Sequence, residues 1–119
     1  MSIKNNEVLY AYTVAALVTS TDDDGTPLDE NYTKGDIADE TLSKMQDDVD
    51  KFISCNYQAL KLTGAGDDMI GHDFWLTRNG HGVGFWDRGY GEVGERLTVA
   101  AHKFPQIDLY VGDDGKLHY

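Results

Sequence analysis

The side chains best suited to chemistry are bunched in one stretch of this chain. Between Gly71 and Gly91 the run GHDFWLTRNGHGVGFWDRGYG holds both tryptophans, two of the four histidines, two of the three arginines and six glycines. Imidazole, carboxylate and guanidinium groups held together can pass a proton, orient a polar group or clamp an anion. His72, Asp73, Asp87 and Arg88 are the groups placed for that work. Trp75, Trp86, Arg78 and Arg88 are of the types that dominate protein interfaces.

Position decides between these roles, and Asn79-Gly80 sets the expected position. A type I′ hairpin turn needs positive φ at both central residues, and Asn-Gly supplies it. The register then pairs Trp75 with Gly84, Phe74 with Phe85, and His72 with Asp87. One face carries Phe74, Leu76, Val83 and Phe85 and is the natural core face. The other carries Asp73, Trp75, Thr77, Gly82, Gly84 and Trp86. Bare glycines beside indoles mean that Trp75 folds over Gly84, the simpler reading, or that a ligand or partner packs there. The His72–Asp87 corner, with Asp73 and Arg88 beside it, reads first as a structural pairing. A general base needs a nucleophile or a cleft, and Ser20, Ser43 and Ser54 lie in no nucleophile elbow. No catalytic residue is assigned.

Other motifs fail on spacing. Gly80, Gly82 and Gly84 lack the Lys-Ser/Thr ending of a phosphate loop. With Gly25 at the sixth position of a calcium loop, Ser20 and Asn31 fall where Asp and Glu are required. In the hairpin register His72 and His81 stand ~15–20 Å apart at ~3.4 Å per residue, which excludes one shared metal ion. His102 and His118 have no ligand-like spacing. Cys55, near Phe52 in a helical pattern, reads as a small core residue. No metal and no cofactor is expected.

Five further segments must position this hairpin. Glu7–Thr19 is nearly continuously apolar and reads as a buried helix. Thr19–Gly35 is rich in turn formers. Asp36 reads as the N-cap of a long amphipathic helix with Asp39 and Glu40 in its first turn, closed by Gly64 and Gly66. Its apolar positions are Ile37, Ala38, Leu42, Met45, Val49, Phe52, Ile53, Leu60 and Leu62. Val93, Leu97, Ala100, Ala101 and Phe104 give a third helix, stopped by Pro105. Ile107–Val111 and Lys116–Tyr119 flank a Gly-Asp-Asp-Gly turn and read as a strand or a second hairpin. The expected fold is one α+β domain over residues 1–119, with a small antiparallel sheet packed against about three helices.

Charge narrows the partners. The chain carries a net charge of −11, and no basic stripe is visible, so direct binding to a nucleic-acid backbone is not expected. Residues 20–50 hold eleven acids and two lysines, a local charge of −9. Asp22, Asp23, Asp24, Asp29, Glu30, Asp47, Asp48 and Asp50 form a candidate steering surface, although acidic helix faces are most often plain solvated surface. A lone cysteine, with no signal peptide and no membrane-length apolar run, suits a reducing cytosol.

GHDFWLTRNGHGVGFWDRG, the later LYVGDDGKLHY and the upstream TSTDDDGTPLDENYTKGDIADET together resemble a family of small tailed-bacteriophage proteins. The resemblance covers about three quarters of the chain. It implies an origin and a host-cytoplasm setting, and it carries no activity, cofactor or catalytic residue with it. In that context a small acidic accessory protein is expected to bind, and by binding inhibit, a host protein in host takeover or counter-defence. A partner among the phage's own proteins fits the same features. Two alternatives stand beside this: a binding protein or enzyme for a small nucleotide-like ligand, using the His72/Asp87 corner, and a structural or assembly role.

Overall fold

The computed structural model describes residues 3–81, 84–85 and 88–119. Four helices dominate: α1 (Asn5–Thr19), α2 (Asp39–Thr63), α3 (Asp67–Arg78) and α4 (Glu92–His102). A two-stranded antiparallel ladder closes the chain, β1 (Tyr110–Val111) and β2 (Leu117–His118), with Tyr110 opposite His118 and Val111 opposite Leu117. The helices expected from apolar spacing near residues 7–19, 36–62 and 93–104 are present, as is the C-terminal hairpin. The small sheet is there, but among the described residues the α-helices number four, not three.

The central hairpin is not. Residues 72–78 are helical, and two features of the sequence explain it. Asp67 and Asp68 sit in the first turn of α3, where carboxylates oppose the positive end of the helix dipole. Ile70, Phe74 and Trp75 follow at helical spacing, and all three are buried. Asn79-Gly80 then ends the helix instead of turning a hairpin. Gly80 takes φ +71°, its N–H donates to the Thr77 carbonyl at 3.2 Å, and the His81 N–H donates to the Leu76 carbonyl at 2.9 Å. That pair of bonds is a Schellman cap, which demands the same left-handed glycine. The register that placed His72 opposite Asp87 therefore does not exist, and neither does the spacing argument drawn from it for His72 and His81.

Packing depends on one close approach. α1 lies along α3, and a Cβ on Gly71 would collide with the Val8 carbonyl oxygen and come within 2.9 Å of Ala11 Cβ. Only glycine lets the two backbones sit this near. α2 lies along α4, and the two layers meet through aromatic rings. Phe52 stacks on Phe74 with centroids 4.1 Å apart and an interplanar angle of 6°.

Two features of α2 differ from expectation. Asp36 does not cap α2. It closes a short 3₁₀ turn, accepting the Thr33 N–H at 2.7 Å. Ile37 and Ala38 are buried, and the Ala38 N–H donates to the Leu117 carbonyl at 2.9 Å. That bond holds the segment extended, and α2 starts only at Asp39. Cys55 and Leu62 are exposed. The buried stripe of α2 runs through Met45, Val49, Phe52, Ile53, Ala59 and Leu60. At 3.6 residues per turn Cys55 and Leu62 point about 100–120° away from its centre.

Candidate functional site

α3 carries the chemistry-bearing cluster, and its two faces use those residues differently. Arg78 faces inward and is 3 % exposed. Its Nε donates to the Pro105 carbonyl at 2.8 Å. Its Nη1 donates to Tyr12 Oη at 2.9 Å, to Asp48 Oδ2 at 2.6 Å and to Tyr119 Oη. Tyr119 Oη donates in turn to Asp48 Oδ2 at 2.5 Å. The guanidinium also lies over the rings of Phe104 and Tyr119, 5.4 and 5.2 Å from their centroids. Burial pushes the Tyr12 hydroxyl up to about 12 and raises Tyr119 as well. Burial alone would weaken the Arg78 charge, but Tyr12, Asp48 and Tyr119 together hold its pKa above the ordinary value. Both hydroxyls keep their protons at neutral pH, and the knot ties α3 to four distant segments.

Trp75 is likewise structural. It is fully buried, its indole N–H donates to Thr19 Oγ1 at 2.7 Å, and its ring meets Tyr12 edge-on. Neither Trp75 nor Arg78 is available as an interface anchor, which overturns the role expected for both. Trp75 does not fold over Gly84. A Cβ on Gly84 would strike Thr77 Oγ1, and that hydroxyl accepts the Phe85 N–H at 3.2 Å. Asn79 adds one more tie, accepting the Ile107 N–H at 2.7 Å. Trp86, Asp87, Gly82 and Val83 lie outside the described residues.

The outward edge of α3 is different. Asp73 is fully buried and takes a bidentate pair from Arg88, Nε to Oδ2 at 3.0 Å and Nη2 to Oδ1 at 2.9 Å. His72 Nδ1 lies 3.2 Å from Asp73 Oδ1, with nearly half of its side chain exposed. The structure thus brings His72, Asp73 and Arg88 together, through helical adjacency and a returning loop. Beside them opens a groove of about 370 Å³, walled by Tyr10, Ala11 and Val14 of α1, by Asp68, Met69 and His72 of α3, and by Arg88. Tyr90 Oη reaches Met69 Sδ at 3.5 Å and steadies that wall. A carboxylate fixes the His72 ring, but among the described residues the groove wall holds no serine, threonine or cysteine to activate.

No known protein family, curated protein or solved structure matches the chain. The site must be read from its own geometry.

The feature that apolar spacing concealed is the outer face of α1. Tyr10, Val14 and Val18 are 54 %, 41 % and 51 % exposed, at i, i+4 and i+8 of one helix. No charged residue occurs from Val8 to Thr19. A helix apolar on all sides is normally buried on all sides, and α1 is not. The absence of charge across twelve residues was the available signal.

The acidic set divides. Asp23, Asp24, Asp29, Glu30 and Asp47 are exposed. Asp22 closes its own turn, accepting the Asp24 and Thr26 N–H groups. Asp48 is tied to Arg78, and Asp50 accepts amide protons from Asn5 and Gln46. These last two are structural acids. Among the described residues no helix is long and apolar enough to cross a membrane.

Proposed function

We propose that this is a non-enzymatic binding protein whose α1 outer face, continued by Met69 and the groove at His72 and Arg88, docks an apolar segment of a partner protein. The exposed line Tyr10–Val14–Val18 carries the reading, because contiguous apolar surface of this kind marks interaction sites. Charge indicates the partner's flanks. Glu7 precedes the line, Asp68 borders the groove, and the chain turns through Asp22–Asp24 directly after α1. Lys34 stands over Tyr10 as an opposing cation. A basic, apolar-faced segment complements that rim, whereas a second copy would bring another charge of −11. In the phage setting such a partner is a host protein, and blocking one of its surfaces is how docking would inhibit it.

Val14→Glu against Leu62→Glu is the test, since both residues are exposed and apolar but Leu62 lies on α2. Salt-resistant capture of a partner by wild type and L62E, with loss in V14E, supports the reading. Capture that V14E leaves intact overturns it. A wild-type dimer that V14E dissolves would give the face to a second copy.

A further inference from the structure

Along the edge of the core stripe of α2, a second cleft has no part in the docking face. It lies between α2 and α4, encloses about 540 Å³, and has Lys51, Cys55 and Asn56 on one wall and Lys103 and Phe104 on the other. That volume is in the range of small-ligand sites. The aromatic surface it offers is that of the half-buried Phe104, whose ring lies against the Arg78 guanidinium; Phe52 behind it is fully buried.

The charge at this cleft runs against the rest of the molecule. Acids outnumber bases 21 to 10 in the chain, yet among the described residues neither Lys51 nor Lys103 has a carboxylate within ion-pair distance. Asp48 is the carboxylate on the cleft wall, and it is spent on Arg78 and Tyr119. Past Asn56 and Lys103 the opening continues to Arg96, with Glu92 and Glu95 on that far part, so the excess positive charge is at Lys51 and Lys103.

α2 is also irregular at this cleft. Asn56 has φ −129° and ψ 20° inside the helix. Its side-chain amide donates to the Phe52 carbonyl at 2.8 Å, the acceptor that a regular helix gives to a backbone N–H. Kinks in long helices have local causes and recur at functional positions.

We infer that the α2–α4 cleft binds a small aromatic anion, its ring against Phe104 and its phosphate or carboxylate between Lys51 and Lys103. The inference does not rest on the docking face and would survive its failure.

Cys55, the sole cysteine, is exposed in the cleft wall and reports occupancy directly. The experiment follows the rate of its alkylation by iodoacetamide in the presence of adenosine or uridine 5′-monophosphate, indole-3-acetate, the parent nucleosides, or inorganic phosphate. At ten times its dissociation constant a bound anion should slow labelling about tenfold. Lys51→Glu with Lys103→Glu, two exposed substitutions, should abolish that protection. Protection by the monophosphates or by the aromatic carboxylate supports the site and names its head group. Three results overturn it: no member of the panel slowing the reaction, protection that persists in the double variant, or nucleosides protecting as well as their monophosphates.

Discussion

Arg78 and Asp73 lie five residues apart on the same helix, each paired to an opposite charge, and they do opposite things. Arg78 is turned inward and spent on Pro105, Asp48, Tyr12 and Tyr119. Asp73 is buried too, but its partners Arg88 and His72 reach the surface and border a groove. A dense run of costly side chains therefore marks two things at once: a knot that closes the fold, and an edge that faces solvent. Composition cannot separate them; the direction in which each side chain leaves the helix does.

The sharpest way to break the contrast is at the knot. Arg78→Met would leave the Asp48 carboxylate, the buried Tyr12 hydroxyl and the half-buried Tyr119 hydroxyl without their shared donor. Removing one partner of a buried pair typically costs about 3–5 kcal/mol, and urea unfolding should show a loss of that size. A loss under about 1 kcal/mol would mean that water enters and replaces the guanidinium.

Alkali attacks the same knot from the other side. Tyr12 is pushed up to about 12 by burial, against about 10 for a free tyrosine. The folded state holds this proton more tightly than the unfolded chain. The stabilisation is therefore complete below pH about 10 and is lost as pH rises through the folded value, at up to ~1.4 kcal/mol per pH unit. Tyr119 is shifted in the same direction and steepens the fall. Stability and tyrosinate absorbance followed together above pH 10 should change in step; ionisation of every tyrosine before any loss of stability would remove the knot from the account.

At the edge the effect should be smaller. Asp73→Asn keeps the shape and an amide oxygen that can still accept from Arg88, so the ion pair is lost but not every hydrogen bond. Charge-assisted hydrogen bonds contribute about 1.5–3 kcal/mol, so D73N should lose less than R78M. The reverse order would make the His72–Asp73–Arg88 corner, and not the Arg78 knot, the main closure of the fold.

How much of this was legible follows from range. α1, α2 and α4 were readable because apolar spacing, Gly64 and Pro105 act within a few residues. α3 was not, because Asn79-Gly80 satisfies two motifs that both need a left-handed glycine. Alternation at Phe74, Leu76, Val83 and Phe85 then favoured the wrong one. The Asp67-Asp68 pair at the right distance before Ile70 was the contrary signal. The knot was illegible in kind: Arg78 meets partners 30, 41 and 66 residues away, and no local pattern encodes those meetings. The adjacency of His72, Asp73 and Arg88 was anticipated, although for a register that does not form.

The smallest effect on stability is the one that separates fold from function. Val14 faces out from α1 and is 41 % exposed, so Val14→Glu breaks no buried contact of the kind Arg78 makes. Surface changes of this sort stay within about 0.5 kcal/mol. Its unfolding midpoint should match wild type while binding at the α1 face is lost. If V14E instead unfolds as readily as R78M, then Val14 packs as part of the core, and the face that resembles a docking surface belongs with the knot. If V14E is stable and blind to partners, the division of labour holds: α3 closes the fold inward, and α1 with the rim of α3 presents the working surface outward.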